Sequence, residues 1–252
     1  MAGAPGHFRA ARRAPPRIGC GGVKLAILVL AAGQGSRFGG EVPKAYVPCA
    51  GAPIVVHCVR RLAALWPERT LVLAADPAHG PHLDPILPAL HAAGLDRVVA
   101  GGATRQESMR NAFAAAPEDH EVVLVHDAAR PLFPRAAALL AIERAAAVGG
   151  ALLAIPVTDT LKRADERRQV LGTVDRRGIW AAQTPQVLRR DLLVRALAAA
   201  QRDGFQATDD AALLEHAGLP VEVVPGSPHN LKITTREDLI LAEILLRGEH
   251  LP

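Results

Sequence analysis

The chain of 252 residues has few aromatic residues, only 3%, although 50% of its residues are apolar. It contains a single tyrosine. A core with so few rings is typical of aliphatic strands packed by alanine-rich helices, and it disfavours an aromatic-rich β-sandwich. Few rings are also available on which nucleobases could stack. The composition therefore favours an α/β protein and gives no support to nucleic-acid binding.

Cysteine is scarce as well, with only three residues, Cys20, Cys49 and Cys58. Their number is odd and their spacing is not that of metal ligands. Reduced thiols in a cytosolic protein are the plain interpretation. We therefore expect a cytoplasmic protein without a zinc site.

An excess of charge is confined to the start of the chain. The net charge is +4, and five of the 29 basic residues lie within residues 1–24, which contain no acid. The rest has 24 basic and 25 acidic side chains. The main body is therefore not basic overall, which again disfavours a nucleic-acid partner.

A long hydrophobic run is also missing. The apolar stretch 25–32 is far too short to span a bilayer, and it continues directly into a glycine-rich segment that cleavage of a signal peptide would destroy. We therefore expect no membrane segment. Residues 1–23, rich in Ala, Arg, Pro and Gly, are interpreted as a disordered basic extension or as the result of a start codon assigned too early. Residues 24–252 are interpreted as a single domain.

Short aliphatic runs alternate with amphipathic stretches along most of the chain, which predicts βα units around a largely parallel sheet. The predicted strands are Leu25–Ala31, Thr70–Ala74, Arg97–Ala100, Val122–Val125, Ala151–Ile155, Val221–Val224 and Leu231–Ile233. Two capping boxes predict helix starts, Thr104 with Glu107 and Thr234 with Glu237. Residues 157–178 interrupt this rhythm because they are polar and charged. On the residues alone they are predicted to be a charged, solvent-facing loop that leaves the domain.

The most informative segment is a buried strand that leads into Gly33, Gly35, Arg37 and Lys44. Glycines let backbone N–H groups approach phosphate oxygens, and the two cations can neutralise the phosphate charge. A dinucleotide fingerprint fails because Phe38 stands where its third glycine belongs, and the Lys-Ser/Thr ending of a P-loop is missing. The alternative is an ordinary βα turn with solvated cations, but the combined pattern favours a phosphate site.

Two further segments follow predicted strands. Residues 101–108 read Gly-Gly-Ala-Thr-Arg-Gln-Glu-Ser, and residues 125–131 read Val-His-Asp-Ala-Ala-Arg-Pro. The second segment places Asp127 and Arg130 at the carboxyl end of a strand, where open α/β sheets bind ligands. Asp127 could hold a divalent cation or a hydroxyl group. The alternative is that Asp127 and Arg130 form only a local ion pair. Lys232, flanked by apolar residues, is unusual for a surface lysine and suits a cation aimed at a ligand.

These motifs resemble those of nucleotidyltransferases that make nucleotide-diphospho sugars and alcohols. Within that group, residues 24–247 resemble the methylerythritol phosphate cytidylyltransferase family. The resemblance implies a three-layer α/β/α, Rossmann-like fold with a mostly parallel twisted sheet, from which residues 157–178 protrude as a dimerisation arm. It also implies roles for particular positions: catalytic Arg37, Lys44, Arg176 and Lys232; CTP-binding Ala31, Ala32, Gly33, Gly35, Gly102, Ala103 and Ser108; substrate-binding Asp127, Arg130, Thr160 and Thr184.

By the same resemblance, the substrates are CTP and methylerythritol phosphate, the cofactor is Mg²⁺ with Asp127 as a candidate ligand, and the chain forms a homodimer. The arm then delivers Thr160 and Arg176 into the neighbouring active site. The nearest alternative is a ribitol 5-phosphate cytidylyltransferase. More distant alternatives are an NAD-linked reductase, which Phe38 weakens, and a nucleotide-sensing or scaffold protein with a basic tail.

Overall fold

The computed structural model describes residues 23–33 and 38–248. The strands are β1 (Leu25–Leu30), β2 (Pro48–Cys49), β3 (Ala52–Pro53), β4 (Arg69–Ala75), β5 (Arg97–Ala100), β6 (Val122–Asp127), β7 (Gly150–Pro156), β8 (Leu161–Ala164), β9 (Val170–Val174), β10 (Trp180–Arg189) and β11 (Glu222–Pro225). The helices are α1 (Ile54–Ala63), α2 (Gly80–Leu83), α3 (Leu87–Ala92), α4 (Arg105–Ala115), α5 (Arg135–Val148), α6 (Arg190–Asp203), α7 (Ala211–His216) and α8 (Arg236–Arg247). Single turns of 3₁₀ helix lie at Lys44–Tyr46, Pro77–His79 and Asp84–Ile86.

Seven strands form the central sheet, in the order β11-β7-β10-β6-β1-β4-β5. Neighbouring strands run parallel except around β10, which is antiparallel to both β6 and β7. Parallel strands end at the same edge of a sheet. The segments that follow β1, β4, β5 and β6 are therefore brought together at one edge.

Both faces of the sheet are covered by helices. Alternate side chains of β1 enter two different cores, with Leu25, Ile27 and Val29 on one face and Ala26 and Leu28 on the other. The first core also contains side chains of α1, α3 and α5, and the second contains side chains of α4, α6 and α7. Strands buried on both faces are continuous apolar runs, which is why these strands could be found in the sequence. The predicted three-layer α/β fold is confirmed.

Six of the seven predicted strands are present, with ends shifted by at most two residues. The seventh prediction, Leu231–Ile233, is wrong, because this segment is not part of any sheet. The backbone N–H of Ile233 donates one hydrogen bond to the Ala129 carbonyl, 2.9 Å away, without a ladder on either side. The segment is an extended connection that brings Lys232 to the end of β6.

The strand β10, which lies in the middle of the sheet, was not predicted from the sequence. This strand contains Gln183, Thr184, Pro185 and Gln186, which are poor signals for a central strand because proline cannot donate to a ladder. The register between β7 and β10 shifts between Ala182 and Gln186, so Pro185 lies in the irregular stretch where no ladder bond is required.

One predicted capping box is confirmed and the other is displaced by one residue. Thr104 caps α4 together with Glu107, as predicted. The cap of α8 is Thr235 with Asp238, and not Thr234 with Glu237. Asp238 accepts hydrogen bonds from both threonine N–H groups and from the Thr234 hydroxyl, so this carboxylate organises the whole entrance of the helix.

Within the excursion at residues 157–178, β8 and β9 form an antiparallel hairpin, where the residues alone predicted a loop. The hairpin is a separate two-stranded sheet, and in the sequence it lies between β7 and β10. Most of its side chains are exposed, including Val170 and Leu171 at 64% each. Within residues 23–33 and 38–248, no helix combines the length and the apolar character that a membrane crossing requires.

Candidate active site

A cavity of about 550 Å³ lies at the edge of the sheet where β1, β4, β5 and β6 end. Its size is in the usual range for sites that bind small molecules. Among the predicted residues, those on its wall are Ala31, Ala32, Gly33, Lys44, Gly102, Ala103, Ser108, Asp127 and Lys232. Gly35 and Arg37 lie outside the described residues, as do residues 1–22 of the predicted extension.

One wall is formed by the chain that follows β1. The N–H of Ala31 donates to the Ala74 carbonyl at 2.8 Å, which continues the pairing of β1 with β4 past the end of the strand. Ala31, Ala32 and Gly33 then pass along the cavity. Lys44 joins them from a single helical turn that begins immediately after Pro43. A backbone with small side chains and a lysine therefore share this wall, as a phosphate site requires.

The opposite wall is the turn between β5 and α4. A Cβ on Gly101 would collide with the Ala32 side chain, so the two walls can approach this closely only because residue 101 is glycine. The Ser108 hydroxyl accepts from the Gly102 N–H at 3.0 Å and donates to the Thr104 carbonyl at 3.0 Å. The Ala103 N–H donates to Glu107 at 2.8 Å. These contacts fix the shape of the turn beside the cavity.

A dense cluster of charges surrounds Asp127 at the end of β6. Lys232 Nζ lies 2.8 Å from Asp127 Oδ2, and the Arg105 guanidinium lies 3.4 Å from Oδ1. Arg130 Nε is 3.9 Å from Oδ2. Burial by itself would raise the pKa of Asp127, but the charges of Arg105, Lys232 and Arg130 outweigh it and hold the pKa well below its usual range. Asp127 is therefore an ionised carboxylate at neutral pH.

Arg105 is a site residue that was not predicted from the sequence. It makes two hydrogen bonds to Asp210, of 2.9 and 2.7 Å, while it also faces Asp127. Burial would lower the pKa of Arg105, but the two carboxylates raise it. The signal was its place in the first turn of α4, where the helix dipole disfavours a cation. Such a residue needs carboxylate partners, and Asp210 is supplied by the start of α7.

Arg130 and Thr184 hold the residues of this cluster in place from outside the cavity wall. Arg130 Nη1 donates to the Asn230 carbonyl at 2.6 Å, which ties the end of β6 to the segment that carries Lys232. The Thr184 hydroxyl accepts from the Asp127 N–H at 3.1 Å, and the side chain is buried in β10. Neither residue is on the cavity wall.

The arm residues Thr160 and Arg176 are not on the cavity wall either. Thr160 is exposed immediately before β8, and Arg176 donates to the Thr158 carbonyl at the base of the hairpin. A single chain therefore brings together six of the seven predicted CTP-binding residues, all but the undescribed Gly35, with Lys44, Asp127 and Lys232. The two arm residues lie apart from them.

The carboxylates on the wall are Asp76 and Asp127. Asp76 Oδ1 accepts from the Ala78 N–H at 2.9 Å in its own turn, whereas Asp127 lies directly beside Lys232. Among the described residues, no three His, Cys, Asp or Glu side chains are grouped as a metal site. Magnesium commonly takes one or two carboxylates together with substrate phosphates and waters. Asp127 is therefore the residue on this wall that would hold a magnesium ion, together with the phosphates of a ligand.

Comparison with known proteins gives one consistent result. Residues 25–248 match the family described as 2-C-methyl-D-erythritol 4-phosphate cytidylyltransferase. The enzyme of that name from Pelotomaculum thermopropionicum is 40% identical over 89% of this chain and 95% of its own length. The one from Chromohalobacter salexigens is 43% identical over 90% and 91%. The crystal structure of the enzyme from Thermus thermophilus is 32% identical, with a TM-score of 0.74 over 89% of this chain and 100% of the other.

Proposed function

The chain belongs to the 2-C-methyl-D-erythritol 4-phosphate cytidylyltransferase family, and from this membership we propose the reaction and the roles of its residues. The protein transfers CMP from CTP to 2-C-methyl-D-erythritol 4-phosphate in the non-mevalonate isoprenoid pathway. The products are 4-diphosphocytidyl-2-C-methyl-D-erythritol and pyrophosphate. The observation that best supports this reaction is the cavity, because its wall brings together the backbone at residues 31–33, Lys44, Asp127 and Lys232. The relatives described above are named for methylerythritol phosphate, so ribitol 5-phosphate is not favoured as the acceptor.

The reaction needs no proton-abstracting base. A phosphate monoester has a second pKa of about 6, so near neutral pH it is mostly a dianion whose oxygens can attack without losing a proton first. One of these oxygens attacks the α-phosphorus of CTP. The bond from that phosphorus to the β-phosphate oxygen breaks, and pyrophosphate leaves with the electron pair. The task of the protein is to bring two anions together and to stabilise the charge that builds up on the α-phosphate.

Lys44 and Arg37 are proposed to stabilise the α-phosphate. Lys44 lies on the same wall as Ala32 and Gly33, where the backbone can receive the triphosphate. Arg37 belongs to the same glycine-rich segment of the sequence. A preorganised cation at the position of developing charge lowers the barrier, because it requires little reorganisation during the reaction.

Lys232 is proposed to hold the phosphate of the acceptor. It is still 39% exposed while it pairs with Asp127, so its ammonium can reach a ligand in the cavity. Asp127 would then contact the hydroxyl groups of the acceptor or a magnesium ion. When bound, that ion supplies positive charge to the phosphate oxygens.

The active form is proposed to be a cytoplasmic homodimer with exchanged arms. Arg176 and Thr160 lie on the exposed hairpin away from the cavity of their own chain, whereas the proposed reaction needs cations around both phosphates. The exposed Val170 and Leu171 give the arm an apolar surface that a second chain would cover. In the dimer, Arg176 of one chain would complete the acceptor site of the other.

The direct test is release of pyrophosphate from CTP with methylerythritol phosphate and magnesium. Ribitol 5-phosphate is the competing acceptor, and UTP and ATP are the competing nucleotides. We expect turnover with CTP and methylerythritol phosphate to exceed every other combination. Comparable turnover with ribitol 5-phosphate would overturn the acceptor, and no release with any pair would overturn the reaction.

A further inference from the structure

His126 is a fully buried histidine that the proposed chemistry does not use. It lies in β6 directly before Asp127 and has 0% exposure. Its ring packs edge-on against Phe133, with the centroids 4.9 Å apart. A ring enclosed in this way cannot contact either substrate. Any effect it has on the reaction must pass through its neighbours.

Both ring nitrogens of His126 make hydrogen bonds at 2.9 Å. Nε2 faces the backbone carbonyl of Arg130, and Nδ1 faces the hydroxyl of Thr184. A carbonyl oxygen can only accept, so Nε2 carries the hydrogen. In a neutral ring Nδ1 is then the acceptor, and the Thr184 hydroxyl donates to it.

The direction of the remaining bond follows from this arrangement. Since the Thr184 hydroxyl gives its hydrogen to His126, its oxygen is left to accept, and it accepts the Asp127 N–H at 3.1 Å. Each donor in the series therefore meets an acceptor: Asp127 N–H to Thr184, Thr184 O–H to His126, and His126 N–H to the Arg130 carbonyl.

The series of hydrogen bonds begins at residue 127 and finishes at residue 130, which are also the first and last residues of one turn. The N–H of Arg130 also donates to the Asp127 carbonyl at 3.0 Å, which closes the turn after β6. The ring of His126 thus fastens the turn from beneath at residue 130 and, through Thr184 of β10, at residue 127. This turn therefore sets the positions of the charged groups of Asp127 and Arg130.

We propose that His126 is a positioning residue for the acceptor side of the active site, a proposal that rests on the proposed function. Its neutral ring sets the direction of the Thr184 hydroxyl and holds the 127–130 turn, so that Asp127 and its partner Lys232 stay aligned with the acceptor. CTP is proposed to bind against the wall at residues 31–33 and 102–103, which other segments of the chain supply. The acceptor side should therefore be affected more strongly than the nucleotide side.

The first test is His126→Phe, which keeps a ring in the apolar surroundings and removes both hydrogen bonds. We expect kcat/KM for methylerythritol phosphate to fall on the order of 10- to 100-fold, as for other residues that orient a group in direct contact with a ligand. KM for CTP should change by less than about threefold. An unchanged kcat/KM, or equal losses for both substrates, would overturn the proposal.

The matched control is His120→Phe. His120 is also buried, at 6% exposure, but it lies before the start of β6 at the opposite edge of the sheet and bonds to Asp119. This variant should leave both kinetic constants close to those of the wild type. An acceptor defect as large as that of His126→Phe would show that loss of any buried ring at β6 is sufficient, and would overturn the specific role of His126.

Two smaller changes separate the hydrogen bonds. The side-chain oxygen in His126→Asn lies near the place of Nδ1 and can accept from Thr184, whereas the amide nitrogen in His126→Gln lies near the place of Nε2 and can donate to the Arg130 carbonyl. Each variant should keep more acceptor activity than His126→Phe. If both are as inactive as His126→Phe while folding as wild type, the two bonds are not the cause.

A readout without turnover is the ¹⁵N spectrum of the imidazole in the whole protein. We expect the neutral tautomer with hydrogen on Nε2, and a shift of the Nδ1 resonance in Thr184→Val. Hydrogen on Nδ1 at neutral pH would overturn the proposal. Since this measurement needs no substrate, it remains informative even if the pyrophosphate assay disproves the proposed reaction.

Discussion

The cluster around Asp127 and the arm at residues 157–178 both contain aspartate and arginine, but their surroundings are opposite. Asp127 is 8% exposed and faces Arg105, Lys232 and Arg130. Arg105 comes from α4, Lys232 from the connection before α8, and Arg130 from the same turn as Asp127. On the arm, Asp175 pairs with Arg177 two residues away, and that arginine side chain is 90% exposed. The first cluster is held by the fold, and the second is held only by its own hairpin.

This difference shows how the proposed active site divides its work. Cations that must be fixed before the substrates arrive are better placed where long-range contacts hold them, because preorganisation lowers the cost of the reaction. An exposed cation on a hairpin has no such support until another surface covers it. The arm therefore suits a function in the proposed dimer, while the cluster suits a function within one chain.

The largest expected effect compares one aspartate from each region. Asp127→Asn removes the carboxylate that three buried or half-buried cations share, and it should lower the free energy of unfolding by about 3 kcal/mol. Asp175→Asn breaks a solvent-exposed pair and should cause no measurable change. Urea unfolding of both variants at pH 7 makes the comparison. Equal stabilities would mean that the buried charges do not depend on Asp127.

Next in size is the loss of a proposed catalytic cation. Lys44→Ala should fold normally and lower turnover by on the order of 10²- to 10³-fold, because one charge stabilising the transition state is removed. Lys24→Ala is the control, since Lys24 is half-exposed and pairs with Asp119 away from the cavity. Steady-state release of pyrophosphate measures both. Near-normal turnover of Lys44→Ala would remove Lys44 from the chemistry.

A third prediction joins the two regions. Arg176→Ala alters the arm and Lys232→Ala alters the cavity, and each variant alone should be nearly inactive. After mixing and subunit exchange, half of the dimers contain both variants and one intact site each, so about a quarter of wild-type activity should return. Exchange must be shown independently, for example with a mass label. No recovery after proven exchange would contradict the shared active site.

The smallest effect concerns pH and tests the interior of the cluster alone, because residues 157–178 contain no histidine. Burial lowers the pKa of His126 to about 4. Below about pH 6.5 the unfolded chain binds a proton at this residue that the folded chain does not, so stability is complete above pH 6.5 and falls as the pH falls towards 4. Between pH 7.5 and 5, wild type should lose about 2 kcal/mol more than His126→Phe.

Unfolding curves at several pH values measure this difference, and His120→Phe serves again as the control. The same pH dependence in wild type and His126→Phe would mean that the ring is not held neutral by its surroundings.

Most of the sheet could be predicted because strands buried on both faces leave aliphatic runs in the sequence. The strand β10 could not, since its central residues Gln183, Thr184 and Gln186 are polar and serve the site and the neighbouring loops. The displaced cap of α8 has a similar origin. Thr234 and Thr235 are chemically equivalent, and only the position of Asp238 selects the second.

The cavity wall was predictable for a different reason. Parallel strands deliver their carboxyl ends to one edge, so residues that follow β1, β5 and β6 in the sequence had to meet. The pairing of Arg105 with Asp210 joins residues 105 positions apart and depends on how α7 approaches α4. No local pattern contains that information. The roles of the arm residues remain predictions for the same reason, since they concern a second chain.

The arm leaves the sheet from the end of β7 and returns at the start of β10, and these strands are direct neighbours. The chain therefore departs and re-enters at almost the same point. Its outer tip, at residues 165–169, can gain or lose residues without altering the register of any strand in the main sheet. In the proposed dimer, exchange of this tip between relatives would therefore change which chains assemble without disturbing the main sheet.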